Sequence, residues 1–405
     1  MRQGVIGLLV LLVGCASASP PPGGPEDKAP PQLVRVTPDT NAVNVKERAV
    51  TFFFDETIND RGTGAQELDQ FFLVSPSDGA PRIEWHRSRI DVRPRHAFRA
   101  NTAYTVTLLP GLGDLRSNVM KTGASIVFST GPTIPPDKIT GVAFDWPTER
   151  GAPRALIEAM SPDSIVYLTQ SDSVGRFAVG PMPPGSYLVR VILDQNGNRA
   201  LDRNEAFDTV RVIVPHPAPI ELLAVQRDTL PARLLTVEAT DSVSLKVTFD
   251  RLIDPSQPLA AAAFRLVSAD SNVLPITAAL TPRQERDVAV AAAQAALDST
   301  RRADSIAGKP IAPVLRPVAP PAATPPATKE LPPPTSSRPA PSASIALKLG
   351  ARLAPNAPYR LSVAGIRALS GRTQPSERSF TTPKPPPPKP AADSARTTPP
   401  APKTP

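Results

Sequence analysis

The sequence predicts an all-β chain of several sandwich domains interrupted and followed by proline-rich segments. Three observations predict it. Short runs that alternate apolar and polar residues, bounded by Pro, Gly, Asn and Asp, recur from Leu33 onward, and that period of two is the signature of half-buried strands. Four of these runs return in the same order in the second half of the chain, so one fold is used twice. The prolines, 53 in 405 residues, are concentrated, with 12 between Pro310 and Pro341 and 10 between Pro383 and Pro405. Segments of that composition cannot bury enough apolar surface to offset the entropy of ordering and are expected to be disordered.

The chain opens with Arg2, an apolar run from Val5 to Val13, and then Gly14 and Cys15. The apolar run is too short to span a bilayer. Positive start, short apolar stretch and small residue at a cleavage point are the parts of a secretory signal. Leu12-Val13-Gly14-Cys15 completes a lipobox, and Cys15 is the one cysteine in the sequence, with no second thiol to pair with. Residues 1–14 are therefore expected to be removed, leaving Cys15 to carry a diacylglycerol on its thiol and a further acyl chain on its amine. Three acyl chains hold far more firmly than the marginal single one. Ala16, in place of aspartate, points to the outer membrane. Residues 15–30 form a short tether containing Pro20-Pro21-Pro22-Gly23-Gly24-Pro25.

Strands are expected at Leu33 to Val36, Ala49 to Phe54, Phe71 to Val74, Arg89 to Val92, Tyr104 to Leu109 and Ser125 to Ser129, which together make one sandwich over 31–131. The repeat lies further on. Val50-Thr51-Phe52-Phe53-Phe54-Asp55 is echoed by Leu245-Lys246-Val247-Thr248-Phe249-Asp250, and Phe72-Leu73-Val74-Ser75 by Phe264 to Ser268. Asn101 to Val106 returns as Asn356 to Val363, and Val127 to Thr130 as Ser379 to Thr382. In this second copy, 232–382, the halves are separated by an insert at 282–342, which begins with an Ala-rich stretch of good helix propensity from Arg283 to Ala307. The insert must leave and re-enter through the surface. A third β unit lies between the copies at 136–226, and a proline-rich tail occupies 383–405.

The opening Pro21-Pro22-Gly23-Gly24-Pro25 with Asp27, the Val36-Thr37-Pro38 turn, the strand end Phe53-Phe54-Asp55-Glu56 and the closing Phe128-Ser129-Thr130 together resemble the bacterial Ig-like domains first defined in S-layer proteins. The resemblance implies tandem Ig-like sandwiches and an address in the envelope, and no reaction. In the middle unit, Ser173 to Val179 followed by Pro183-Pro184-Gly185 and the alternating Tyr187 to Val191 resembles the carboxypeptidase-regulatory-like, prealbumin-type sandwich of many surface proteins. Gly175 and Pro183-Pro184-Gly185 supply its turns.

The net charge of +8 would suit a nucleic-acid binder if it were gathered on one face. It is not. Residues 281–345 hold eight Lys/Arg against five Asp/Glu, and 383–405 hold four against one, so these two segments carry six of the eight charges. The folded remainder is close to neutral and has no basic stripe interleaved with aromatics, which excludes nucleic acid as the expected partner.

One stretch has ligand-like spacing. From Asp194 to Glu205, oxygen side chains stand at the first, third, fifth, ninth and twelfth positions of a calcium loop, as Asp194, Asn196, Asn198, Asp202 and Glu205. Ala200 is free to give its backbone carbonyl at the seventh. Calcium takes six to eight hard oxygens, and a terminal glutamate can supply two. Arg199 stands where helical calcium loops place glycine, and the same residues also suit a polar turn between two strands.

Catalytic constellations are otherwise missing: His86, His96 and His216 have no metal-ligand spacing, and there is no nucleophile elbow and no Gly-rich loop opening a helix. Asp55 and Glu56 are adjacent on a strand and so point to opposite faces. Trp85 and Trp146 read as core or interdomain anchors. The expected function is that of a membrane-anchored envelope lipoprotein, a structural or adhesive module that binds an envelope protein or polysaccharide without turnover. The competing expectation is an enzyme or carbohydrate-processing accessory whose site lies between domains.

Overall fold

The computed structural model describes residues 27–61, 66–306 and 334–384. Cys15, the expected signal, most of the expected tether and of the proline-rich part of the insert, and all but the first two residues of the tail lie outside the described residues. The chain divides into two compact units, 1–136 and 137–405.

In the first unit, seven strands form: β1 (Leu33–Thr37), β2 (Val50–Phe54), β3 (Phe72–Ser75), β4 (Arg82–His86), β5 (Arg89–Arg93), β6 (Ala103–Leu108) and β7 (Ala124–Ser129). They make two antiparallel sheets, β1-β2-β5-β4 and β3-β6-β7. Alternation decides which side chains meet. Val50, Phe52 and Phe54 of β2 and Ile90 and Val92 of β5 turn inward, where they join Phe72, Val106, Leu108 and Phe128 from the other sheet in one cluster. The rings of Phe52 and Phe72 lie 5.3 Å apart, tilted by 56°. Burying each such phenylalanine contributes about 1.5–3 kcal/mol relative to leaving it in water.

The sequence pattern locates every strand of this sandwich except β4. Arg82-Ile83-Glu84-Trp85-His86 exposes one face and only half-buries the other. Its hairpin to β5 turns on Arg87-Ser88 without glycine or asparagine, with Arg87 itself at φ 59°. A turn of that composition gives no hairpin signal.

The second unit holds two separate cores. The first belongs to β8 (Ile139–Asp145), β9 (Arg150–Gly151), β10 (Leu156–Met160), β11 (Val166–Gln170), β12 (Arg176–Val179), β13 (Gly185–Ile192), β14 (Ala206–Val214) and β15 (Ile220–Gln226). One layer runs β11-β10-β13-β14 and the other β15-β8-β12, joined where Ala206 and Phe207 of β14 pair with the end of β15. The β8–β15 pair is parallel, in an otherwise antiparallel sandwich. Ile139, Ile157, Val189, Val191 and Leu222 are fully buried between the layers. Gly175 sits in the turn before β12 at φ 87°, and a Cβ there would come within 2.4 Å of the Ala143 carbonyl oxygen, so only glycine fits.

The second core belongs to β16 (Leu234–Asp241), β17 (Ser244–Ile253), β18 (Phe264–Ser268), β19 (Val273–Leu274), β20 (Ile276–Leu280), β21 (Ser342–Leu349), β22 (Pro358–Val363) and β23 (Ser376–Thr381). The sheets are β16-β17-β21-β20 and β19-β18-β22-β23. The first sheet repeats the strand order of β1-β2-β5-β4, and the correspondence extends to single hydrogen bonds. The Arg99 N–H donates to the Tyr104 hydroxyl at 2.8 Å, and the Ala354 N–H to the Tyr359 hydroxyl at 2.9 Å. The Thr130 hydroxyl accepts from the Thr102 N–H and donates to the Arg99 carbonyl, as the Thr382 hydroxyl does with Ala357 and Ala354. Asn101 and Asn356 take the same left-handed turn, at φ 50° and 51°.

This correspondence shows where the insert was placed. β4 and β5 are joined by Arg87-Ser88, whereas their equivalents β20 and β21 are joined by residues 281–341. The insert opens with α1 (Pro282–Ile306), the helix expected from composition. Thr281 caps it: its hydroxyl accepts from the Gln284 N–H, and the Gln284 side chain accepts in return from the Thr281 N–H. That reciprocal box, with Pro282 at the first helical position, is a strong start signal. Both ends of the insert are tied to the middle sandwich. Glu149 pairs with Arg283 at 3.5 Å and Arg286 at 3.3 Å, the Trp146 indole donates to the Pro339 carbonyl at 3.1 Å, and the Ser337 hydroxyl donates to Glu221 at 2.8 Å.

Two outcomes are expected. Tyr104→Phe and Tyr359→Phe each leave a half-buried N–H without its acceptor, so each should cost about 1–3 kcal/mol in denaturant unfolding, with similar values in the two sandwiches. A specific protease site engineered between Pro310 and Pro332 should, once cut, leave 232–281 and 343–382 associated on native gel filtration. Separation of those fragments would show that β21 does not belong to the sheet of β17.

Candidate functional site

The loop from Asp194 to Glu205 joins β13 to β14, antiparallel neighbours whose last ladder pair is Ile192 with Phe207. The Leu193 N–H donates to the Ala206 carbonyl at 2.9 Å and closes its base. The segment between must reverse direction, and its polar side chains fold inward to hold it. One Asp194 oxygen accepts from the Gly197 N–H at 2.7 Å and the other from the Arg199 N–H at 2.8 Å. Asn196 accepts from the Asn198 N–H, and Asn198 from the Ala200 N–H. Glu205, only 5% exposed, accepts from the Gln195 N–H at 3.0 Å and the Asp202 N–H at 3.1 Å.

The structure therefore brings Asp194, Asn196, Asn198, Asp202 and Glu205 into one turn. The amides of Asn196 and Asn198 both donate to the same oxygen of Asp202, at 2.7 and 2.9 Å. Arg199, the departure from the helical calcium-loop pattern, takes φ 57°, the left-handed geometry that glycine would supply there, and Gly197 takes φ 74°. Strand context on both sides has not prevented the turn from closing. The chemistry of the donor set, three carboxylates and two amides with a free carbonyl at Ala200, is that of hard oxygen ligands.

Of the remaining sequence candidates, His86 meets Glu84 and Asp91, their ligand atoms within 4.8 Å of one another, and the others are dispersed. Asp55 and Glu56 diverge as adjacent strand-end residues must: Asp55 accepts from the Gln32 N–H at 2.7 Å, whereas Glu56 faces Asp27 and Asp114. His86 lies 3.4 Å from Asp91 and His96 3.0 Å from Asp78, each partner within the histidine's own sandwich. Two N–H groups, of Arg95 and His96, and the His96 ring all bond to Asp78. Burial pushes the Asp78 carboxyl up, but these bonds outweigh it and hold it below the usual range. Trp85 packs on the first core and donates to the Ile58 carbonyl at 2.9 Å, while Trp146 anchors the insert. A cavity of about 430 Å³ lies at the root of the insert, among Pro147, Glu149, Arg283, Arg286, Pro339 and Pro341. Its hydroxyls, of Thr281 and Ser342, bond to the Gln284 side chain and the Ser344 carbonyl.

Sequence reasoning passed over the cluster formed by Asp27, Glu56 and Asp114. Their carboxylate oxygens lie within 4.8 Å of one another. The three residues are far apart along the chain and form no motif. Only the fold brings them together.

Residues 27–130 match the bacterial Ig-like domain family, and the first sandwich is such a domain. No curated protein sequence matches the chain. Among solved structures, similarity is found to the N-terminal part of the bacterial S-layer protein SbsC, at 13% identity and a TM-score of 0.19 over 48% of this chain and 43% of that one. An L,D-transpeptidase from Mycobacterium smegmatis is similar at 14% identity and a TM-score of 0.19, over 46% and 77% of the two chains. The Bacillus anthracis TIE protein follows at 11% and 0.17, over 60% and 47%. The chain thus spans less than half of the SbsC structure it matches.

Proposed function

We propose that this chain is a lipoprotein of the bacterial envelope, held to the outer membrane through lipidated Cys15 and serving as a structural or adhesive module without turnover. The observation that carries the reading is the succession of a complete lipobox at Leu12 to Cys15 and a bacterial Ig-like domain over 27–130. A lipid anchor followed at once by rigid sandwiches displays surface at a distance from the bilayer, and the chemistry of display needs no catalytic group. Among the described residues, no helix is long and apolar enough to cross a membrane. The middle module is read as prealbumin-like in this proposal. The partner in this reading is an envelope protein or polysaccharide, met by the faces of the sandwiches and the ends of their loops.

Lipidation is tested by intact-mass analysis of the membrane fraction. The expected product lacks Met1 to Gly14 and carries the mass of a diacylglycerol and a further acyl chain, and Cys15→Ser should move the protein out of the membrane pellet. An unmodified thiol, or a serine variant that still sediments with membranes, refutes the anchor.

Calcium is proposed as the ligand of the loop, held by Asp194, Asn196, Asn198, the Ala200 carbonyl, Asp202 and Glu205. Three carboxylates in one turn repel one another, and a divalent cation relieves that while adding binding free energy to the folded state. In the full chain, calcium at millimolar concentration should slow hydrogen exchange across 194–206, and magnesium should do so less, because it demands a tighter octahedron. Asp194→Ala and Glu205→Ala should abolish the protection. Arg199→Gly should keep it, since φ 57° costs glycine nothing. Equal exchange with and without calcium would reduce the loop to a turn.

A further inference from the structure

The first sandwich is almost neutral as a whole, with thirteen Lys/Arg against twelve Asp/Glu over 27–130, but its charges are not evenly mixed. Residues 82–99, which carry β4 and β5, hold six arginines against Glu84 and Asp91. Alternation turns Arg82, Glu84 and His86 of β4 and Arg89, Asp91 and Arg93 of β5 away from the core, onto the outer face of the sheet β1-β2-β5-β4.

The ladder lines these side chains up across the strands. Arg35 of β1 lies opposite Phe53 of β2, Phe53 opposite Arg89 of β5, and Arg89 opposite His86 of β4. With strands about 4.8 Å apart, the row is about 14 Å long. It alternates cation and aromatic, and because its members come from four strands the order along the chain does not show it. The next row holds Asp91 and Glu84, opposite each other. Asp91 lies 3.6 Å from Arg89, and Glu84 is ion-paired with Arg93. The Arg89 Nε is out of solvent and donates to nothing, so its fork is only partly used. Arg35 is exposed, with its guanidinium over the Phe53 ring, 4.3 Å from the centroid. Among the described residues no carboxylate pairs with it.

The fold does not require this row. In the second copy Thr248, the counterpart of Phe53, lies opposite Thr236 on one side and Ser344 on the other. Small hydroxyl residues stand there in an equivalent sheet over a complete core. Arg35, Phe53 and Arg89 therefore serve something other than packing.

We propose that this row binds an acidic polysaccharide, laid across the strands with its carboxylates on Arg35 and Arg89. The proposal rests on the reading of the chain as an adhesive module and names the partner of its first sandwich. A planar guanidinium meets a carboxylate through two parallel hydrogen bonds. Arg35 and Arg89 are two strands apart, about 10 Å, so they fit a polymer whose charges are sparse, as in a sugar chain with carboxylates on some rings only. A nucleic-acid strand carries a phosphate about every 3.4 Å, and its bases are held by stacking on open rings. The Phe53 ring is already covered by Arg35. An anionic bilayer would meet the whole face at once, with the Glu84 side chain 49% exposed within it. A linear chain follows the row and leaves the carboxylates aside.

The test measures binding of the full chain, solubilised in a non-ionic detergent, to immobilised polygalacturonate at physiological salt. EDTA is present, so that no divalent cation bridges polymer and protein. The parent should bind, less tightly as salt is raised. Arg35→Gln and Arg89→Gln should each weaken binding by about tenfold, the worth of one charge-assisted pair. Arg35→Gln breaks no ion pair and should keep the parent's melting temperature, so it decides the matter if loss of Arg89 disturbs the sheet around Asp91. Lys246→Gln, on the matching face of the second copy, should bind as the parent does. A parent that does not bind, or Arg35→Gln bound as tightly as the parent, overturns the proposal. An equal loss in Lys246→Gln overturns it by showing that net charge alone is read. Tighter, Arg35-dependent binding of a single-stranded oligonucleotide or of phosphatidylglycerol vesicles overturns it in favour of that other class of partner. None of these outcomes bears on the anchor at Cys15, which the mass of the membrane form tests separately.

Discussion

Each Ig-like copy depends on one small ring of hydrogen bonds at its edge. The Asp55 side chain accepts from the Gln32 N–H and its own N–H donates back to the Gln32 carbonyl, and Asp250 does the same with Arg233. The ring fixes the first strand against the second at one register. Immediately beyond it both copies skip a residue: Leu33 pairs with Phe54 and Arg35 with Phe53, while Leu234 pairs with Phe249 and Thr236 with Thr248. The skipped residues, Val34 and Leu235, are turned out to solvent, at 68% and 46% exposure. A slip of one residue in such a ladder would send every inward phenylalanine outward. The aspartate that ends the Phe-Phe-Asp run is thus a register pin, and the core behind it follows.

Much of this was legible in the sequence, because the features that repeat are the ones that constrain backbone. The echo of Val50 to Asp55 in Leu245 to Asp250 is the echo of that pin, and Tyr104 and Tyr359 stand in the same relation to the same N–H. The helix of the insert was legible from its alanines, expected over Arg283 to Ala307 and found at Pro282–Ile306. What stayed hidden was set by long-range pairing. β4 hides behind a hairpin of Arg87-Ser88, and the parallel β8–β15 pair joins residues some eighty positions apart, which no local pattern encodes. The Asp194 to Glu205 turn was readable as a spacing of oxygens. The Asp27, Glu56 and Asp114 cluster was not, because only the fold brings it together.

The middle sandwich and the insert bear on each other through a few polar contacts. Glu149 receives two arginines from the first turn of α1, and Glu221 and the Trp146 indole hold the returning chain at Ser337 and Pro339. Individually, exposed pairs of this kind contribute about 0–1 kcal/mol. Their value is positional, since they hold both ends of a long excursion against the middle sandwich.

The replacement of a two-residue turn by residues 281–341 carries a further consequence. Each doubling of a flexible loop costs only about 0.6 kcal/mol in closure entropy, so an expansion of about five doublings costs about 3 kcal/mol, within reach of a sandwich with a full core. One copy of this fold has already absorbed such an expansion between an edge strand and its inner neighbour while keeping its ladder. The matching hairpin at Arg87-Ser88 is then a port: foreign sequence grafted there would project from the first sandwich as the helix projects from the second, and the scaffold beneath would not need to be redesigned.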